Sequence, residues 1–208
     1  MEEPTTNQPS PPKPPPLPLI HINGYPGTGK LTIAQHLLIK LNSTAKIPSK
    51  LIHNHLLINP ADAILHRTQP GYQTLRKKLR AAVLSSLEQE PATYQTAYIF
   101  TDFQSLDAVG AGVCAEYANT AAKRGCRLLS VVLHCGEEEN LRRLVSIGRA
   151  SVGKLTDVNV VRGFREGGAS IYCFDGESKS LEIDVTTLTS EETALLILDH
   201  ILEVLRRS

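Results

Sequence analysis

The chain of 208 residues carries 22 basic and 21 acidic side chains, so its formal net charge is +1. A chain so close to neutral has no global field that would attract nucleic acid or a membrane surface, and neither is expected as its main partner. Hydrophobic residues make up 41% and charged residues 21%, which is typical of a globular protein with one domain of ordinary size.

The cysteines and the N-terminus indicate the cellular compartment of the protein. The four cysteines include no C-x-x-C pair and no histidine at metal-finger spacing, so a zinc site is not expected and reduced thiols are the simplest interpretation. The longest apolar runs are too short to span a bilayer, and the N-terminus lacks the basic and apolar segments of a secretory signal. We therefore expect a cytoplasmic protein.

The first 17 residues hold most of the prolines. Such a segment has few backbone donors and little surface to bury, so residues 1–17 are expected to form a disordered or polyproline-type tail. The stretch PKPPP at residues 12–16 would suit a proline-recognising domain, although a solvated tail without a partner is the simpler interpretation. Residues 18–208 are expected to form one folded domain.

The pattern changes abruptly after the tail. Residues 17–22 predict a short buried strand, with Pro18 confined to its start. A glycine-rich loop follows at residues 24–29, and from Lys30 onward apolar residues recur at helical spacing. Strand, glycine loop and helix together form the first unit of an α/β fold.

The rest of the chain alternates predicted strands with predicted helices. Further strands are expected at residues 51–58, 97–101, 127–134 and 181–185, and helices at 72–89, 107–124, 137–146 and 190–206. Ser190 is expected to cap the last helix. Apolar strands alternating with helices predict a five-stranded parallel sheet that is covered by helices on both faces.

Residues 24–30, with the sequence GYPGTGK, have the spacing of a P-loop. Glycines allow a tight turn in which successive N–H groups point at phosphate oxygens, and the helix N-terminus behind them adds partial positive charge. The alternative, a glycine turn with a chance lysine, does not account for the strand before it and the helix after it. The residues expected to bind ATP are Gly24, Pro26, Gly27, Thr28, Gly29, Lys30, Leu31 and Thr32.

The residue after Lys30 departs from the usual motif, which places Ser or Thr there to meet Mg²⁺. That position is Leu31, and Thr32 comes one residue later. One residue rotates a side chain by about 100° around a helix, so Thr32 does not simply replace the missing hydroxyl. Either the metal is held through water and other groups, or Thr32 contacts the α-phosphate region.

The stretch GYPGTGKLT resembles the adenylate-kinase form of the P-loop, Gly-x-Pro-Gly-x-Gly-Lys-Gly-Thr, with Leu31 in place of a glycine. The third predicted strand ends in Asp102, arginines follow the fourth strand, and the sequence IDVTT at residues 183–187 precedes the last helix, as in small P-loop kinases. The resemblance spans roughly residues 18–205. It implies a three-layer P-loop NTPase fold with a lid after strand four, and an ATP- and Mg²⁺-dependent transfer of phosphate to a small molecule.

The resemblance does not name the acceptor. The nucleoside-monophosphate signature Asp-Gly-Phe-Pro-Arg is absent, and the sequence TDFQS stands in its place at residues 101–105. Other functions therefore remain alternatives: a nucleotide-dependent ATPase or switch, or a protein that binds ATP without turnover, which Leu31 favours. A GTPase base-specificity motif of the Asn-Lys-x-Asp kind is not found.

Asp102 is the candidate for the metal or for proton transfer. Its strand is expected to lie beside the P-loop strand, and ligands of open α/β sheets bind at the carboxyl ends of such strands. Asp102 would hold Mg²⁺, directly or through water, or accept the proton of a substrate hydroxyl. The alternative is an N-cap for the segment that begins near Ser105.

Basic residues supply the remaining candidates. The resemblance implies that Arg143 and Arg149 belong to the lid, where the planar guanidinium would bond two phosphate oxygens, and Lys154 is a weaker candidate. A solvated basic helix face is the alternative. His53, Asn54 and His55 are candidates for the acceptor site. Arg76 and Arg80 either clamp an anionic acceptor or form an exposed basic face.

Overall fold

The computed structural model describes residues 14–144, 170–176 and 180–207. Within these residues the chain forms a parallel sheet of five strands in the order β2-β3-β1-β4-β5. The strands are β1 (Leu19–Gly24), β2 (Ser49–His53), β3 (Ala97–Thr101), β4 (Leu128–His134) and β5 (Leu181–Asp184). The helices are α1 (Lys30–Ser43), α2 (His55–Asp62), α3 (Tyr72–Gln89), α4 (Ala108–Arg124), α5 (Glu137–Leu144) and α6 (Ser190–Arg206).

Alternate residues of β1 contribute to two hydrophobic cores on opposite faces of the sheet. Ile20 and Ile22 are fully buried in the core shared with α1 and α6. Leu19 is fully buried in the core shared with α3 and α4. Because successive side chains of a strand point to opposite faces, a sheet covered on both sides favours strands that are mostly apolar. The three-layer α/β architecture that the sequence predicts is confirmed.

The tail boundary lies close to the first contact of the domain. Leu17 donates its N–H to the carbonyl of Tyr94 at 2.8 Å and packs against the core of α1 and α6. Residues 1–13 lie outside the described residues, so the expected tail stays a prediction. Among the helices that the structure describes, none is both long and apolar enough to cross a membrane.

The second strand is shorter than the sequence predicts. β2 ends at His53 and α2 begins at His55, so the prediction of a strand over residues 51–58 is wrong for its second half. The N–H of Asn54 still bonds to Thr101 of β3 at 3.0 Å, but the Asn54 carbonyl already accepts from Leu57 and Ile58 of the helix. The chain therefore turns at Asn54, at the carboxyl edge of the sheet.

Thr189, and not Ser190, caps α6. The hydroxyl of Thr189 accepts from the N–H of Glu192 at 3.2 Å, and the Glu192 carboxylate accepts from the N–H of Thr189 at 2.8 Å. This reciprocal pair is a capping box. The prediction of Ser190 as the N-cap is wrong by one residue. Threonine and serine both cap helices well, and the glutamate of a capping box stands three residues after the N-cap, which selects Thr189.

Thr189→Ala is expected to lower the free energy of unfolding by about 1 kcal/mol, because the N–H of Glu192 loses its acceptor. Ser190→Ala, in the same turn, is the control and is expected to change stability by less than about 0.5 kcal/mol. Urea unfolding measures both. An equal or larger loss for Ser190→Ala would show that the capping box does not stabilise the helix.

Candidate functional site

The loop between β1 and α1 exposes a helix N-terminus at the carboxyl edge of the sheet. Gly27 and Gly29 have φ values of 98° and 88°, in the left-handed region that favours glycine. Gly29 is the N-cap of α1, and no side chain caps this helix. The first-turn amides and the positive end of the helix dipole together form a site that suits phosphate oxygens.

Asn140 of α5 holds the tip of this loop. Its Nδ2 donates to the carbonyl of Pro26 at 2.9 Å, and the side chain is fully buried. A Cβ added to Gly27 would lie 2.5 Å from that Nδ2 and 2.9 Å from the Asn140 carbonyl. Residue 27 is therefore restricted to glycine by its backbone conformation and by the close approach of α5.

Gly27→Ala is expected to lower the free energy of unfolding by about 2 kcal/mol, since a left-handed alanine alone costs about 1–2 kcal/mol. Gly112→Ala in α4 is the matched control, because a Cβ there meets no atom within 4 Å. Alanine in an exposed helix is expected to raise stability by about 0.5–1 kcal/mol. Urea unfolding of the two variants should therefore give changes of opposite sign, and a shared sign would contradict the argument.

Lys30 lies across the loop. Its Nζ donates to the carbonyls of Gly24 and Tyr25, at 2.5 and 2.8 Å. Both acceptors are neutral, and a phosphate oxygen would be a stronger acceptor for the same ammonium group. The side chain thus already lies in the loop, in contact with the backbone that would surround a phosphate chain.

The predicted P-loop residues fall into two groups. Gly24 and Thr28 are buried within the loop, and the Thr28 hydroxyl donates to the carbonyl of Tyr25 at 2.9 Å. The others line a cavity of about 200 Å³: Pro26, Gly27, Gly29, Lys30, Leu31 and Thr32. Leu31 is partly buried and Thr32 is exposed.

Asp102 lines the same cavity at the end of β3, which pairs with β1 as the sequence predicts. Only 5% of the residue is exposed. Its Oδ1 lies 2.6 Å from Nε2 of His21, and its Oδ2 accepts from Nε2 of Gln104 at 2.8 Å and from the hydroxyl of Tyr117 at 3.0 Å. The N-cap of α4 is instead Asp107, so the N-cap alternative for Asp102 is wrong.

The charge of Asp102 follows from these partners. Burial raises its pKa, but the charge and hydrogen bond of His21, together with the hydrogen bonds of Gln104 and Tyr117, outweigh burial and hold the pKa below its ordinary value. Burial and the neighbouring Asp102 raise the pKa of Tyr117 well above its ordinary value, so the phenol remains a donor. The site therefore keeps a buried carboxylate that attracts cations and is a weak proton acceptor.

His21 is one part of this site that sequence patterns did not single out. It is fully buried in the middle of β1, and its ring stacks on Tyr117 with centroids 4.7 Å apart. Within the described residues, its Nδ1 has no hydrogen-bond partner. The available signal was a polar residue between two buried isoleucines, Ile20 and Ile22, in the predicted strand.

A second wall of the cavity comes from the junction of β2 and α2. This wall is lined by His53, Asn54 and His55, and the centroids of the two imidazole rings are 6.2 Å apart. Arg67, in the loop before α3, lines the same cavity and carried no sequence signal. The structure therefore brings the three predicted acceptor-site candidates to the P-loop cavity, together with one further cation.

The other basic candidates lie elsewhere. Arg76 packs over the ring of Tyr72 at 6.0 Å, and Arg80 donates to Glu116 at 2.6 Å. Neither residue lines the cavity. The sequence-based suggestion that they clamp an acceptor therefore gains no support from their positions.

Of the two main lid candidates, the described residues include only Arg143. Its guanidinium donates to Glu139 and to the carbonyls of Val185 and Thr186, at 2.9 and 3.2 Å. These contacts attach the end of α5 to the loop after β5. Arg149 and the weaker candidate Lys154 lie outside the described residues, so their roles stay predictions.

The donor set can be compared with the needs of Mg²⁺. Among the described residues, no three His, Cys, Asp or Glu side chains are grouped to hold a metal ion. Mg²⁺ usually keeps several waters and is bound by one or two carboxylates together with substrate phosphates. A single buried carboxylate, Asp102, beside a glycine loop that suits phosphate oxygens fits that mode, and a site made entirely of protein ligands does not.

Comparisons with known proteins identify the fold. No protein-family model matches the chain, and a search of curated proteins finds no relative. The structure is similar to a gluconokinase from Sinorhizobium meliloti 1021, with 17% identity and a TM-score of 0.57 over 90% of this chain and 94% of that one. It is also similar to the Mycobacterium tuberculosis APS kinase in complex with AMPPNP and APS, with 18% identity and a TM-score of 0.56 over 91% and 99%.

A third similar structure is the tunicamycin resistance protein of Deinococcus radiodurans, with 17% identity and a TM-score of 0.54 over 88% and 95% of the two chains. Likeness at this level of identity shows the fold alone. The chain has the three-layer fold of P-loop kinases, as the resemblance in its glycine loop implies.

Proposed function

We propose that this protein is an ATP- and Mg²⁺-dependent phosphotransferase that moves the γ-phosphate of ATP to a small molecule. One observation carries the proposal: the uncapped start of α1 with Lys30, the buried carboxylate of Asp102 and the polar wall at His53 and His55 line a single cavity. Transfer between two ligands requires both to be positioned beside groups that neutralise charge.

Each group has a proposed role. The loop amides and Lys30 hold the phosphates of ATP. Mg²⁺, when bound, neutralises charge on the transferred group. Asp102 would hold the metal ion, directly or through water, or would orient the acceptor hydroxyl. Arg143 and Arg149 stabilise the transferred charge. For this role the guanidinium of Arg143 must leave the carbonyls of Val185 and Thr186 and donate to phosphate oxygens.

The setting that we propose is the cytoplasm. The four cysteines are free thiols: Cys114, Cys126, Cys135 and Cys173. Burial raises the pKa of Cys114 to about 12, and burial also raises the pKa of Cys126. Both thiols are therefore protonated and unreactive, as is usual for reduced structural cysteines.

One observation favours a second candidate function, nucleotide binding without turnover. Leu31 occupies the position where a hydroxyl usually meets Mg²⁺, and it lines the cavity with an apolar side chain. Leu31→Ser restores that hydroxyl. A rise in phosphate transfer or hydrolysis from zero in the Leu31→Ser variant would favour the second candidate.

A screen with γ-labelled ATP and Mg²⁺ tests the proposal. Sugars, sugar acids, nucleosides and their phosphates and sulfates are offered as acceptors, with Lys30→Ala as the inactive control. Label is expected to move to an acceptor in the wild type only. Release of free phosphate without transfer would instead identify a hydrolase, and nucleotide binding with neither product would identify a non-catalytic protein.

A further inference from the structure

We propose that the acceptor carries an anionic group, which Arg67 binds together with the imidazoles of His53 and His55. The inference rests on the proposed phosphotransferase function and names the substrate class of the same cavity. β3 lies between β2 and β1, so the end of β2 is roughly 10 Å from the end of β1, where the P-loop begins. The anion site is therefore separate from the phosphate loop, with Asp102 between them.

The charges of the cavity favour an anion at this wall. Among the described residues that line it, the permanent cations are Lys30 and Arg67, and the acid is Asp102. Lys30 contacts the phosphate loop. Asp102 is engaged by His21 and two further donors. Arg67, whose charge is partly balanced by its ion pair with Asp62, is therefore the cation left to contact a second ligand.

Arg67 is held in position from behind. Its Nε and Nη2 donate to the two carboxylate oxygens of Asp62, at 3.3 and 2.8 Å. The hydroxyl of Tyr72, a residue only 2% exposed, donates to the same carboxylate at 2.5 Å. A buried ring therefore fixes Asp62, and Asp62 fixes the guanidinium.

This arrangement leaves donors for a ligand. Nη1 of Arg67 makes no hydrogen bond with the described residues, and 49% of the side chain is exposed. A guanidinium held by its Nε edge still presents a planar fork that suits the oxygens of a carboxylate, phosphate or sulfate. Arg67 is therefore both oriented by the protein and accessible to a ligand.

The neighbouring side chains are also donors. Each imidazole, His53 and His55, carries an N–H in either of its neutral tautomers, and Asn54 adds an amide. In each neutral tautomer the second ring nitrogen is an acceptor, as is the side-chain oxygen of Asn54, so these side chains also suit the hydroxyl groups of an acceptor. Arg67 offers donors only and carries a permanent charge, so it is the residue that selects for an anionic group.

The test is a sulfate titration of the protein saturated with Mg²⁺ and a non-hydrolysable ATP analogue, at constant ionic strength. The imidazole NMR signals of His53 and His55 report binding. We expect saturable shifts at these two residues. Arg67→Gln is expected to weaken sulfate binding at least tenfold, because a charge-assisted contact is lost. Lys77→Gln, which removes an equal charge from an exposed position on α3, is the control and should change the affinity little.

Two results would overturn the inference: shifts that stay linear with concentration, or equal sulfate affinity in the Arg67→Gln and Lys77→Gln variants. Arg67→Gln is expected to fold, since its partly exposed ion pair contributes little to stability. Repeating the titration with acetate separates a carboxylate-bearing acceptor from one with a tetrahedral oxyanion, because the matching anion binds more tightly.

Nucleotide affinity, measured separately, keeps this inference distinct from the proposed function. Arg67→Gln should leave the affinity for the ATP analogue unchanged. If the wild type does not bind the analogue, the proposed function fails. The sulfate titration then continues without nucleotide, and dependence of the histidine shifts on Arg67 still decides whether the anion site exists.

Discussion

Lys30→Ala is expected to weaken binding of a non-hydrolysable ATP analogue roughly a hundredfold, or by about 3 kcal/mol. In the structure the ammonium group is held by the carbonyls of Gly24 and Tyr25, inside the loop that would surround the phosphates. Removing it deletes a charge-assisted contact and leaves phosphate charge without its partner. Calorimetric titration of both proteins measures the difference.

The control for this experiment is Lys77→Ala, which removes the same charge from an exposed position on α3. It should bind the analogue like the wild type. Thermal unfolding of Lys30→Ala checks that the loop change has not unfolded the domain. Equal affinities in the two variants would remove the P-loop from the proposed function.

The glycine loop could be predicted from the sequence because its signal is local. Spacing within residues 24–30, a preceding apolar strand and a following amphipathic helix all fall within about 25 residues. The pairing of β1 with β3 could also be predicted, because the rules for connections in α/β folds allow only a few strand orders. The sequence therefore assigns Asp102 to the same edge of the sheet as the glycine loop.

The end of β2 could not be predicted in the same way. Residues 51–58 are mostly apolar, and short apolar runs do not distinguish a strand from a helix. The turn depends on Asn54, whose N–H bonds to Thr101 while its carbonyl accepts from Leu57 and Ile58. This turn depends on a tertiary contact, because Thr101 is far from Asn54 in the sequence.

The partners of the site residues depend on contacts between distant parts of the chain. His21 and Asp102 are 81 residues apart, and Asn140 contacts Pro26 across 114 residues. Neither His21 in a strand nor Asn140 in a polar helix belongs to a motif with a fixed spacing. Arg67 lies in a loop without periodicity, so its approach to the cavity is set by Asp62 and Tyr72.

Asp102 joins the stability of the fold to the chemistry that we propose. Its carboxylate accepts from three donors, whereas an asparagine offers one acceptor oxygen and one donor amide. In Asp102→Asn at least one of His21, Gln104 and Tyr117 must face that amide. We expect the free energy of unfolding at pH 7 to fall by about 3 kcal/mol, as is usual when one partner of a buried pair is lost.

The pH dependence of this loss has a defined direction. Because the folded protein holds the pKa of Asp102 below its ordinary value of 3.8, the carboxylate contributes its full stability above that pH. The contribution is lost as the pH falls through the folded pKa. The difference in unfolding free energy between wild type and Asp102→Asn should therefore be large at pH 7 and shrink below pH 3.8.

Phosphate transfer by folded Asp102→Asn is expected to fall a hundredfold or more, because the variant lacks the charge that, in our proposal, would hold the metal ion or orient the acceptor hydroxyl. Affinity for the ATP analogue without Mg²⁺ should barely change. Tyr117→Phe is the control: it removes one hydrogen bond to Asp102 at a cost of about 1 kcal/mol and keeps the carboxylate charge. Turnover should survive in that variant. If folded Asp102→Asn transfers phosphate as fast as Tyr117→Phe, Asp102 has a structural role only, and the reaction depends on Lys30 and the arginines.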